Sequence, residues 1–194
     1  MRTSSQIPSR SHSRPGTSRG FTLVELMAVV AVAAVLAGAA VPSMTGLMRW
    51  SRLTSASQDL FAGFTMARSE AIKRNSRVAV CKSANGVSCA ASGGWEQGWI
   101  VFHDANNNGM REAGEPVVTR AQAFPGELRV SGNLNVQRYV SYAPNGAARL
   151  ASGAFQAGTI TVCNASAGAT DARQIVLSSS GRPRVLKTRL ANCA

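Results

Sequence analysis

Acid and histidine are scarce in this chain. Two histidines and nine acidic residues stand against 21 lysines and arginines, for a formal net charge of +12. Beyond Arg19 only one histidine remains, His103. That shortage removes most general acid–base chemistry, no nucleophile–base pairing stands out, and neither an enzyme nor a cofactor is expected. Cysteine is limited to Cys81, Cys89, Cys163 and Cys193, with no close C-x-x-C pair, which argues against a zinc site. An even count beyond an apolar run points instead to two disulfides in an oxidising compartment, and spacing favours Cys81–Cys89 and Cys163–Cys193 among three connectivities. Aromatic residues make up 6% of the chain; Trp95, Trp99 and Phe102 fit core packing better than a platform for bases.

The positive excess favours polyanionic partners, nucleic acid or anionic lipid, and does not specify a fold. Four arginines (Arg2, Arg10, Arg14, Arg19) lie before the apolar run; without them 17 basic residues face nine acidic ones, a net of +8. Length and a hydrophobic share of 45% suit one globular domain with an appendage, and 18 dispersed glycines indicate many turns.

The appendage is Phe21 to Val41, a 21-residue run whose single charge is Glu25. At 1.5 Å per residue such a helix is about 30 Å long, the thickness of a hydrocarbon core. Preceding arginines would keep the N-terminus cytoplasmic and send the rest across. A secretory signal cleaved at "AGAA" (Ala37 to Ala40) is the alternative, but the run is longer than a usual signal core and would contain Glu25.

Arg19 to Leu26, "RGFTLVEL", resembles the cleavage region of type IV prepilins. The resemblance implies that a prepilin peptidase cuts after Gly20 and that Phe21 becomes the methylated N-terminus. Glu25 is then fifth in the mature chain and Pro42 is twenty-second, where pilin helices often bend. An acid in lipid needs a partner. In this family the carboxylate meets a neighbouring subunit's terminal amine, so Glu25 would reward assembly and set register. A pair with its own Phe21 amine fits the same spacing.

After the run, Leu53, Ala56, Leu60, Phe64, Ala67 and Ala71, flanked by Phe61 and Ile72, recur every three or four residues. This pattern predicts an amphipathic helix to about Arg74 whose apolar face needs a sheet. Strand-like runs follow at Val78–Cys81, Trp99–Phe102, Pro116–Thr119, Leu128–Val130, Gln137–Tyr142, Thr159–Cys163, Gln174–Leu177 and Val185–Leu190. The expected fold is α+β: a long N-terminal helix, half transmembrane and half amphipathic, packed on a small antiparallel β-domain, as in type IV pilins. The expected divisions are a cleaved leader (1–20), a transmembrane segment (21–42), its amphipathic continuation (43–75) and a β-rich head (76–194).

The blocks "ARSEAIKRN", "GWEQGWIVFHDANNNG", "SYAPNGAARL" and "SGRPRV" resemble the GspH/FimT branch of minor pilins and pseudopilins. Asp104 to Glu115 also fits the calcium-loop pattern, with oxygens from Asp104, Asn106, Asn108 and Glu115 around Gly109. Asn and Gly are equally what a hairpin loop requires, and a structural turn is the preferred reading, with no metal expected.

The C-terminal stretch carries Arg182, Arg184, Lys187 and Arg189 with no acid after Gly181. Pro183 lacks an N–H, so "GRPR" is expected as an exposed loop. Beyond it, alternation would put Leu186, Thr188 and Leu190 inward and Lys187 and Arg189 outward. A Cys163–Cys193 bond would anchor this segment and limit its entropy loss on binding. Gly181, Arg182 and Arg184 match the G-R-x-R motif of FimT-type minor pilins. That resemblance implies sequence-independent binding of double-stranded DNA during natural transformation. Four phosphate contacts give a log–log salt slope near −3.6, or roughly a 150-fold loss between 50 and 200 mM salt. The implied partners are DNA, other major and minor pilins, prepilin peptidase and, before assembly, the bacterial inner membrane. The implied location is that membrane with a periplasmic head, then an extracellular pilus. The alternatives are a GspH-like pseudopilin of type II secretion and a minor pilin for pilus initiation.

Overall fold

A computed structural model describes residues 20–166 and 168–193, without the side chains of 39–43. The expected leader therefore lies outside the described residues except for Gly20. Helix α1 spans Leu23–Arg74, and the chain divides into two compact units between Met44 and Thr45.

In the first unit Thr22 caps the helix. Its Oγ1 accepts the amide N–H of Glu25 at 3.3 Å, the Thr-x-x-Glu spacing of a capping box, and the acid stands in the first turn, where the helix dipole favours it. Residues 20–38 are all exposed. Among the described residues no helix is long and apolar enough to cross a membrane; the described side chains of the apolar run end at Gly38, so the span expected over Phe21–Val41 lies partly outside them. Helical backbone continues through Pro42.

In the second unit α1 buries Leu53, Ala56, Leu60, Phe64, Ala67 and Ala71, the face its periodicity predicts; Ile72 stays half exposed. The helix ends in a Schellman motif. Asn75 takes the left-handed conformation (φ 50), its N–H donates to Ile72 O, and Ser76 N–H donates to Ala71 O.

Among the described residues eight strands follow: β1 Val78–Lys82, β2 Trp99–His103, β3 Val117–Ala121, β4 Leu128–Gly132, β5 Tyr139–Tyr142, β6 Gly158–Asn164, β7 Thr170–Leu177 and β8 Pro183–Leu190. They form two antiparallel four-stranded sheets, ordered β3-β2-β1-β5 and β4-β6-β7-β8. One core joins the helix face to Val78, Val80 and Val101 of the first sheet and to Val130, Ile160, Val162 and Ile175 of the second. The α+β layout is as expected, but the strands split into two sheets, and β7 starts at Thr170 rather than Gln174. The extra residues "TDAR" show no apolar alternation; they are strand because β8 pairs with all four and β6 with Ala172 and Arg173.

The aromatic residues are core. Trp95 is buried, donates its indole N–H to Val136 O at 3.1 Å and meets Phe64 edge-on, with centroids 5.7 Å apart. Trp99 and Phe102 are also buried, so no aromatic platform for bases exists among these three. Both spacing-favoured disulfides are present. Cys81–Cys89 lies in a small cluster with Ala79, Ile100 and Phe102. Cys163–Cys193 lies in another with Ala172 and Leu190, tying the chain end to β6.

Candidate nucleic-acid interface

The β7–β8 hairpin turns through Ser178–Arg182. Gly181 N–H donates to Ser178 O at 2.9 Å, and Ser178 N–H donates to Arg182 O at 3.2 Å. Gly181 has φ +79, the left-handed position such a short turn reserves for glycine. It is also buried: a Cβ built there would overlap Gly146 O and stand 3.2 Å from Ala148 N. Gly146 O in turn accepts the Arg68 Nε–H of α1 at 2.9 Å. The hairpin tip is therefore seated on a loop that the helix itself holds. Gly181 is a structural residue, and the exposed Arg182 beside it inherits a fixed position.

Pro183 does not extend the loop as expected. It opens β8, pairing with Leu177, because the first residue of an edge strand tolerates a missing donor. Arg184 is accordingly in the strand, opposite Val176, and exposed. The alternation is also opposite to the expected one. Val185 faces Ile175 and packs on the main core, which puts Lys187 and Arg189 on the helix-facing side and Arg184, Leu186, Thr188 and Leu190 on the other. Leu186 is half exposed, and Leu190 packs against the disulfide cluster on the outer side. "VL" offers two adjacent apolar residues, so alternation alone could not choose the phase.

All four basic side chains are exposed, but they do not form one patch. Arg182 and Arg184 are together at the hairpin tip. Arg189 is about 23 Å of strand away from Arg182. It lies opposite Asp171 in register, beside Arg49 and Trp50 of α1. Lys187 is opposite the buried Arg173, whose Nη1–H donates to Ala172 O. The absence of acid after Gly181 in sequence is thus no guide to the neighbours of Arg189.

The candidate calcium ligands form a closed turn. The Asp104 carboxylate accepts the Asn108 and Gly109 amides, both at 3.0 Å, and Glu115 accepts those of Ala105 and Glu112, both at 2.9 Å. Asn106 and Asn108 side-chain oxygens accept the amides two residues on. Burial pushes the Asp104 carboxyl above its ordinary range, against the pull of its two amide donors. Among the described residues no cluster of three or more His, Cys, Asp or Glu is gathered for a metal. The fold does bring Ser76 Oγ within 2.8 Å of His103 Nε2, a contact the sequence did not disclose. The adjacent Asp104 is engaged by its own loop, and among the described residues no acid is hydrogen-bonded to that pair.

A family model described as type II transport protein GspH matches residues 56–181, well over half of the chain. A model of the prokaryotic N-terminal methylation motif matches residues 16–41. None of the curated proteins matches. Two crystal structures of the type IV minor pilin FimU of Pseudomonas aeruginosa (strain PAO1) are similar. One is 17% identical, with a TM-score of 0.55 over 74% of this chain and 96% of that one. The other is 18% identical, with a TM-score of 0.53 over 73% and 100%. At such identities the likeness establishes the fold alone, the type IV pilin fold.

Proposed function

Because the chain belongs to the GspH family and carries the N-terminal methylation motif of a minor pilin or pseudopilin, we propose that it captures extracellular double-stranded DNA through its β7–β8 hairpin for uptake in natural transformation. Proteins of this kind are structural rather than enzymatic. The motif implies membrane anchoring followed by incorporation into a filament, with prepilin peptidase and other pilins as partners. In our reading the anchor is the bacterial inner membrane, the head is periplasmic before assembly, and the divisions at 20/21, 42/43 and 75/76 mark leader, anchor, helix continuation and head.

The observation that carries the DNA reading is the exposed pair Arg182 and Arg184 on a hairpin tip fixed by Gly181. Guanidinium forks suit phosphate oxygens, and no base-reading helix is present among the described residues, so recognition is by backbone. Lys187 reaches the same strand from the opposite face, exposed at the sheet edge. Arg189 contributes least, since Asp171 stands opposite it. Titrating the full chain in neutral detergent with unrelated duplexes tests this. The expected log–log salt slope is about −2.7 or steeper, at about −0.9 per contact from Arg182, Arg184 and Lys187, and independent of sequence. A slope near zero would remove DNA from its partners and leave the two alternatives, a GspH-like pseudopilin of type II secretion and a structural minor pilin for pilus initiation.

For Glu25 we propose the intersubunit role. Its own N–H is capped by Thr22, while the carboxylate is exposed and unpaired among the described residues. Glu25→Ala should lower recovery of the protein in sheared filaments several-fold at unchanged cellular level. Equal recovery would leave the Glu25 carboxylate only its favourable place in the first turn of the helix.

A further inference from the structure

The turn that positions Arg182 rests on the loop after β5, and that loop borders an open cleft of about 920 Å³. Its walls include Ser76 and Arg77 between α1 and β1, His103 at the end of β2, Asn145, and Arg149. We infer that the DNA-phosphate surface continues from the hairpin tip into this cleft, with Arg149 as its next phosphate contact and Arg77 as a weaker one. The inference rests on the DNA reading above and extends it to residues that no G-R-x-R motif contains.

Geometry supports the continuity. Gly181 abuts Gly146 and Ala148, and Arg182 and Arg149 are each one residue from that contact. Their Cα atoms are therefore within about 14 Å, the axial length of no more than about four phosphates of one strand. A single backbone can bridge them without bending. By contrast, Arg189 is at the far end of β8.

Arg149 is also prepared for such a contact. Its guanidinium carbon sits 3.9 Å above the Phe155 ring, and Nη1–H donates to Gly153 O at 3.2 Å. These two contacts fix the plane of the fork and leave further N–H groups for an anion, so little side-chain freedom is lost on binding. Among the described residues no acid pairs with it; the ion pairs present join Glu70 to Lys73 and Arg74. Arg77 is held similarly, through Nη1–H to Leu150 O at 3.1 Å, but it shares the cleft with the Asp104 carboxylate, which feels its charge. Arg149 is thus the stronger cation, and Ser76 and Asn145 add neutral donors to the same wall.

The test compares salt slopes for the full chain in neutral detergent with a fluorescent duplex of about two helical turns. Arg149→Gln should weaken binding several-fold near 50 mM salt and flatten the slope by about 0.9. Arg129→Gln on β4, at the opposite edge of the sheet from β8, removes the same net charge and should leave the slope unchanged. Arg149 also supports its own loop, so Arg149→Lys is the companion variant. It loses the fork but keeps the charge, and should recover most of the slope if phosphate contact is the role. A normal slope in Arg149→Gln, or no recovery in Arg149→Lys, overturns the inference. If the slope is normal in Arg149→Gln yet flattened in Arg182→Gln/Arg184→Gln, the hairpin reading survives without the cleft. If neither set changes it, the DNA reading itself falls.

Discussion

Replacing Arg182 and Arg184 together by glutamine is expected to lower duplex affinity on the order of 10- to 100-fold near 50 mM salt and to flatten the salt slope by about 1.8. Both side chains are exposed, and neither guanidinium holds a hydrogen bond or ion pair among the described residues. Their loss should therefore leave the melting temperature within about 1 °C of the parent. Loss of transformation with filaments still present should accompany the change. Mobility-shift titrations that superimpose on those of the parent would dismiss the hairpin tip as the DNA site. A parallel fall in melting temperature would mean that the arginines support the fold instead.

Gly181→Ala should act in the reverse sense, on stability first. The new methyl group meets two separate obstacles. Holding a non-glycine residue at φ +79 costs about 1–2 kcal/mol, and overlap with the Gly146 carbonyl adds about 1–3 kcal/mol as the loop shifts. The sum, about 2–5 kcal/mol, corresponds to a melting temperature lower by roughly 5–15 °C in a chain of this size. Gly153→Ala isolates the first obstacle: its φ is +87 but a Cβ there would have no neighbour within 4 Å. That variant should lose only about 1 kcal/mol. Equal losses at the two glycines, measured by thermal and urea unfolding, would refute the docking of the hairpin on the Gly146 loop. DNA affinity should fall in Gly181→Ala as well, because Arg182 is no longer held beside Ala148.

These two positions differ in how legible they were. Arg182 and Arg184 stand out in sequence because charge and the "GRPR" block are local properties. Gly181 stands in the same block, yet its second constraint comes from Gly146, 35 positions earlier, and no pattern within the hairpin encodes that contact. The helix face from Leu53 to Ala71 was fully readable, since a 3.6-residue period forces those side chains to one side. All eight strands were also readable as apolar runs between turn residues, with ends that moved by a few positions. The calcium-like loop was readable as a turn but not as a network, because its carboxylates are consumed by amides that only the folded backbone aims at them.

By itself the sequence determined the prepilin-type N-terminus, the buried face of the helix, the number of strands and the cysteines able to pair. Each follows from covalent order, local periodicity or loop length. Tertiary structure alone decided the division into two sheets, the phase of β8, the acid opposite Arg189 and the nearness of Arg149 to the hairpin tip. Those outcomes depend on which distant segments pair. A one-residue slip in pairing reverses every side chain of a strand, so the side on which Lys187 and Arg189 project is fixed by Ile175 facing Val185, across the sheet.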